Sequence, residues 1–195
     1  MNYLSIDTSS KLCSVTLFNN DKFYIHEEEG KEGHSETLSS LCKKFNQEKL
    51  KSIDFIALSI GPGSYSGLRI GSSFSKGLAL SLGIPIVPVC TFDGINYSLK
   101  NKNKYYISIY SHRDYAFYQL YNNGKKSGQS KCGKIENMLE YNIYGYGFDE
   151  SLKNDRFVNI KPSSKDIGQI ALNNFSSLNE KKIDNIKPIY LEIEK

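Results

Sequence analysis

The order of hydrophobic patterns along this 195-residue chain predicts an α/β protein of two lobes, each built on a mixed sheet flanked by helices. Short alternating segments near the amino terminus form a meander, and helix, strand, helix and strand follow them. A polar, Lys/Asn-rich stretch at 96–104 then opens a second, tyrosine-rich half. Strand-rich portions followed by amphipathic helices imply sheets whose faces those helices cover.

Each element has a local reason. Residues 3–6 alternate as a strand and run into the turn Asp7-Thr8-Ser9-Ser10. Strands at 13–18 and 22–27 follow, joined through Asn19-Asn20-Asp21. His34-Ser35-Glu36 starts a helix whose Leu38, Leu41, Cys42 and Phe45 recur at i, i+3, i+4 and i+7, one helical face. The apolar run at 53–60 reads as a buried strand.

A second helix at 66–82 stops at Gly83 before Pro85. It carries a large ridge, Ile70, Phe74, Leu78 and Leu82, expected to pack on the sheet. Its small ridge, Gly67, Gly71, Ser75 and Ala79, is expected to let another helix approach along an i±4 row. A strand at 84–89 closes the first half.

In the second half, 105–110 and 115–121 form a hairpin, and 142–148 is a strand with the Gly-rich end Tyr144-Gly145-Tyr146-Gly147. Ser163 caps a last helix with Ile167, Ile170, Ala171, Phe175 and Leu178 on one face, before the extended tail Pro188-Ile189-Tyr190-Leu191. The division falls at 1–95 and 96–195. The first half matches one lobe of an actin-like or hexokinase-like (ribonuclease H-like) fold, and the second a reduced version of it.

Composition narrows the function classes. No apolar run is long enough to span a bilayer, and the chain enters a strand pattern directly, so a cytoplasmic protein without a signal peptide is expected. Cys13, Cys42, Cys90 and Cys132 are scattered without a C-x-x-C pair, which speaks for reduced thiols and against zinc. Net charge is +4, nearly all of the basic excess being lysine. The cluster Lys100, Lys102 and Lys104 reads as a solvated linker rather than a nucleic-acid footprint.

The chemistry centres on Gly61-Pro62-Gly63-Ser64-Tyr65-Ser66-Gly67-Leu68-Arg69, between a strand and a helix. A Walker A loop is excluded, because Leu68-Arg69 stand where Lys and Ser or Thr are required. A dinucleotide fingerprint is disfavoured, because three strands precede the glycines and the strand after them ends without an acid. The favoured reading is a tight turn that lets the helix pack closely.

A phosphate or nucleotide loop from Asp7, Thr8, Ser9 and Ser10 with Gly61, Gly63 and Ser64 is the competing reading, Asp7 holding hydrated magnesium. His26, His34 and His112 form no metal motif. Arg113, one of three arginines, is the candidate anion contact.

These residues carry a resemblance. Leu4-Ser5-Ile6-Asp7-Thr8-Ser9, His34-Ser35-Glu36 and above all the string from Gly61 to Gly71, extended by Lys76-Gly77-Leu78-Ala79-Leu80, resemble the YeaZ family, the bacterial TsaB proteins of tRNA threonylcarbamoyladenosine biosynthesis. The resemblance is strongest over residues 1–95. It implies a two-lobed actin-like fold with no catalytic residues, metal or cofactor of its own. It implies pairing through the first-lobe helices, at Leu38, Leu41, Gly67, Gly71, Ser75 and Ala79, with a TsaD-like catalytic paralogue.

A TsaE-like ATPase joins that complex, with ATP or ADP and magnesium at its interface and tRNA reached through it. The same helix face would support a homodimer when the chain is alone. The alternative is a free-standing actin-like nucleotide hydrolase or a peptidase. Tyr65-Ser66 stand where the family usually has Phe-Thr, and Glu192 where a basic residue is common.

Overall fold

Every residue of β1 (Tyr3–Asp7) is buried, and a strand enclosed on both faces needs cover on both. The computed structural model, which describes residues 1–29, 33–99, 103–148, 155–180 and 182–193, shows how that cover is supplied. Lys100 and Lys102 lie outside the described residues. β2 (Leu12–Asn19) and β3 (Lys22–Glu29) continue β1 as an antiparallel meander. β4 (Phe55–Ser59) pairs parallel to β1, and β5 (Ile86–Val89) parallel to β4, giving the order β3-β2-β1-β4-β5.

Alternation divides the first sheet's side chains. Leu4, Ile6, Ile56 and Leu58 meet Leu38 and Leu41 of α1 (His34–Lys43) and Ala79 of α3 (Tyr65–Leu82). The short α2 (Gln47–Lys51) links α1 to the strand that follows. Tyr3, Phe55, Ala57, Val87 and Val89 point the other way, onto Ile167 and Ala171 of α5 (Ser164–Asn173).

The second sheet repeats the first strand for strand. β6 (Lys104–His112), β7 (Tyr115–Asn122) and β8 (Lys125–Lys134) form an antiparallel meander. β9 (Asn142–Tyr146) and β10 (Phe157–Asn159) add in parallel, giving the order β10-β9-β6-β7-β8. One face packs Tyr105, Ile107, Ile109 and Tyr121 on Phe92 and Ile95 of α4 (Thr91–Tyr97). The other is partly covered by Ile135 and Met138 of a 3₁₀ turn. The reduction of this lobe is therefore in its helices.

The strands of the two sheets lie on either side of residue 95, but the helices exchange. Helix α5, expected to finish the second lobe, closes the first sheet, while α4 from the first half serves the second sheet. The two helices cross between the lobes, where a Cβ on Gly94 would fall 2.6 Å from Cδ1 of Ile167. At the start of α5, Ser163 makes no side-chain cap. Its neighbour Ser164 is buried instead, its hydroxyl 2.7 Å from those of both Ser14 and Thr16.

Candidate functional site

The loops proposed to cradle a phosphate are fastened to each other. The Ser64 amide donates to the Ser9 carbonyl at 2.7 Å, and the Thr8 hydroxyl donates to the Gly67 carbonyl at 2.7 Å. His34 Nε2 lies 2.6 Å from the Ser10 carbonyl, joining α1 to the same knot. Gly61 has φ of +103°, and a side chain there would also strike the Ile189 carbonyl, because the Ile189 amide donates to Ile60 at 2.7 Å. The space a side chain on Gly63 would need is taken by the backbone of Ser9.

Asp7 lies beneath this knot, 1% exposed. Its Oδ1 accepts from the Ser9 amide at 2.9 Å and hydroxyl at 2.6 Å, while Oδ2 has no partner. Burial pushes its carboxyl above the usual carboxylate range. The two loops, bonded to each other, enclose Asp7 in protein. Asp7, Thr8, Gly61 and Gly63 all take part in building the turn. Of that set, Ser9, Ser10 and Ser64 border the neighbouring space, Ser9 and Ser10 as buried residues and Ser64 partly exposed.

That space is a cleft of about 670 Å³ between the lobes. Its first-lobe wall holds Ser9, Ser10, Lys11, His34 and the start of α3, where Ser64 caps the helix by accepting from the Gly67 amide at 3.2 Å. Its second-lobe wall is aromatic, with Tyr110, Phe117 and Tyr146. The Tyr146 hydroxyl donates across the gap to Glu29, and this bond lowers the Glu29 carboxyl pKa. Arg113 lies elsewhere, exposed at the β6–β7 turn with φ of +52°.

The six residues expected at a partner surface are turned inward in the chain. Leu38, Leu41, Ser75 and Ala79 are buried in the first lobe, and Gly67 and Gly71 pack on Thr8, so none of the six faces outward. The small ridge exists because the chain's own Thr8 and His34 fill it. The large ridge Ile70, Phe74, Leu78 and Leu82 is half-buried at the margin. Between its members the outward face of α3 shows Ser73, Gly77 and Leu80, the leucine 71% exposed and nothing within 4 Å of a Cβ on Gly77.

At the amino end of α3 lies a cluster the sequence did not signal. The Arg69 guanidinium sits 4.0 Å from the Tyr65 ring centroid, and Arg69 Nε donates to the Tyr190 hydroxyl at 3.2 Å. The contact pins the extended tail to the helix.

Nucleophilic groups are subdued. Burial pushes the Cys13 and Cys42 thiols up to about 12. Among the described residues no three of His, Cys, Asp and Glu gather to hold a metal ion, and no helix is long and apolar enough to cross a membrane.

Two sheets of one topology, facing each other across a cleft with a helix crossing beneath, define a two-lobed protein of the actin-like class. The chain belongs to the family described as TsaD, tRNA N6-adenosine threonylcarbamoyltransferase, whose model matches residues 24–181. Within that family its likeness is to the TsaB, or YeaZ, proteins. It is 33% identical over 94 residues to the tRNA threonylcarbamoyladenosine biosynthesis protein TsaB of Escherichia coli, covering 47% of this chain and 41% of that protein.

Identity to the TsaB of Buchnera aphidicola from Acyrthosiphon pisum is 31% over 91 residues, covering 45% and 41%. The chain thus spans about two fifths of the length of the TsaB relatives it matches. A tRNA N6-adenosine threonylcarbamoyltransferase of Borreliella afzelii is 29% identical over 171 residues, 77% of this chain and 46% of that one. In structure it resembles YeaZ from Pseudomonas aeruginosa, with a TM-score of 0.78 at 20% identity over 97% and 99% of the two chains.

Proposed function

We propose that this chain is a non-catalytic scaffold subunit of a complex that forms threonylcarbamoyladenosine on tRNA, at the adenosine 3′ of the anticodon. It pairs with a TsaD-like transferase and holds that paralogue in its competent state. The TsaE-like ATPase, the tRNA, and ATP or ADP with magnesium belong to the complex rather than to the closed loops around Asp7. The observation that carries the reading is the outward face of α3, where exposed Leu80 and open Gly77 leave room for a second helix at close range. A homodimer uses this face when the transferase is absent.

The test is co-purification with the transferase paralogue of the same genome, followed by a transfer assay. Pairing and activity are expected with the native chain and lost with Leu80→Asp, which leaves the isolated fold intact because the site is exposed. Full transferase activity without this chain would overturn the reading. So would a Leu80→Asp variant that pairs as well as the native chain.

A further inference from the structure

The basic excess of the chain is gathered in one place. Residues 104–134 hold Lys104, Arg113, Lys125, Lys126, Lys131 and Lys134 against the single acid Asp114, a net of +5 in a chain whose total is +4. Lys126 is paired with Asp93 at 2.8 Å, and Lys134 with Glu136 at 3.4 Å. The strand register settles where Lys104, Lys125 and Lys131 lie. Lys104 pairs with Asn122, Asn122 with Lys125, and Tyr118 with Lys131, so the lysines share the face of Tyr106 and Tyr118.

On that face Tyr106 keeps part of its ring open, with buried Tyr118 supporting it from below. Tyr106 and Tyr118 meet edge to face at 5.6 Å, Tyr141 lies 6.0 Å from Tyr106, and the Lys104 ammonium is 5.7 Å from the Tyr141 centroid. Tyr106, Tyr118 and Lys131 border a depression of about 280 Å³ also lined by Ser127, Gln129 and Asn137. This is below the roughly 300–1,000 Å³ usual for small-molecule pockets. Glu140 is the acid that acts on Tyr106, and Arg156 donates to the carbonyls of Leu139 and Glu140 beside it at 2.6 and 2.8 Å.

Ammonium groups spread across neighbouring strands suit phosphates at intervals along a backbone. Tyrosine faces beside hydroxyl and amide groups suit an unpaired base, which a duplex keeps stacked inside. We propose that this face of the second sheet binds a single-stranded stretch of RNA, with phosphates on Lys104, Lys125 and Lys131 and a base on Tyr106. The proposal rests on the tRNA reading above for the source of that RNA, and it gives this chain a direct contact of its own.

The test is fluorescence anisotropy of the full chain with a labelled uridine decamer and an unmodified tRNA transcript, over a salt series. Replacing Lys104, Lys125 and Lys131 together by Gln is expected to weaken both at least tenfold and to lower the salt slope by about two, at roughly 0.7 per single-strand phosphate. Tyr106→Leu should weaken the decamer about 5- to 100-fold while Tyr106→Phe retains it, both with native circular dichroism.

Native binding that ignores the triple change would overturn the proposal, as would no binding at all. An equal loss on changing Lys22, Lys43 and Lys76 of the first lobe would overturn it too, showing general charge attraction. Pairing with the transferase separates the two readings. Intact pairing with an insensitive sheet face removes only the RNA contact. Failed pairing with a sensitive face removes only the scaffold role.

Discussion

Asp7 keeps one carboxylate oxygen bonded to Ser9 and buries the other without a protein hydrogen-bond partner, and that burial is costly for the charged form. Its raised pKa means that the folded chain holds this proton more tightly than the unfolded chain. Stability therefore falls as pH rises from the ordinary carboxylate range through the raised folded value. Asp7→Asn removes that penalty. The expected result is a higher melting temperature at about pH 7, the gain shrinking towards about pH 4, where the unfolded carboxyl is also protonated. Thermal denaturation at the two pH values checks it, and a loss at neutral pH would mean that the charge itself is stabilising.

The turn at Asp7-Thr8-Ser9-Ser10 was legible in the sequence, but its role was not. An Asp followed by small hydroxyl residues suits a capped turn as well as a phosphate loop. What decides is the bond from Ser64 to Ser9, a contact between distant segments.

Helix α3 teaches the same lesson one level up. Its extent and its Gly83 stop were readable, because periodicity and a left-handed cap are local signals. Which ridge lies deeper was not, because a bulky ridge and a small one both suit a buried face. The large ridge packs on the core of the sheet face as expected, and the small ridge is the more deeply buried of the two because Thr8 rises to fill it. Gly71→Leu is accordingly expected to destabilise the free chain by about 1–3 kcal/mol or more, through clash with Thr8 and Leu58. Gly77→Ala, with open space around it, should stabilise the chain by about 0.5–1 kcal/mol. Urea denaturation of both variants compares them, and a Gly71→Leu chain as stable as the native one would return the small ridge to the surface.

Among the elements that escaped the sequence reading, β8 and α4 did so for physical reasons that can be named. β8 is an edge strand whose Lys125–Lys134 span is mostly exposed, so it shows little apolar alternation. α4 is a two-turn helix, too short for its period to declare itself.

At the scale of the whole molecule, the repeat of one strand order in both sheets was only half legible. The first meander is visible as alternation, while the second hides behind tyrosines and lysines. The partition of charge could have been counted directly, and the register then turns that count into a face. The crossing of α4 and α5 makes each lobe depend on the other's chain. A fragment of residues 1–99 lacks α5 and leaves Tyr3, Phe55, Ala57, Val87 and Val89 uncovered. It is expected to aggregate or stay molten, whereas the full chain unfolds in one transition. A soluble fragment with native-like near-ultraviolet dichroism would show that the first sheet stands without α5.

That dependence also has a schedule. The apolar underside of the first sheet is made by Val89, but its cover is complete only with Ala171. At about 5–20 residues per second the ribosome needs roughly 4–16 s for that interval. Throughout it the nascent chain carries a bare hydrophobic sheet, which makes it a natural client for whatever chaperone waits at the exit tunnel.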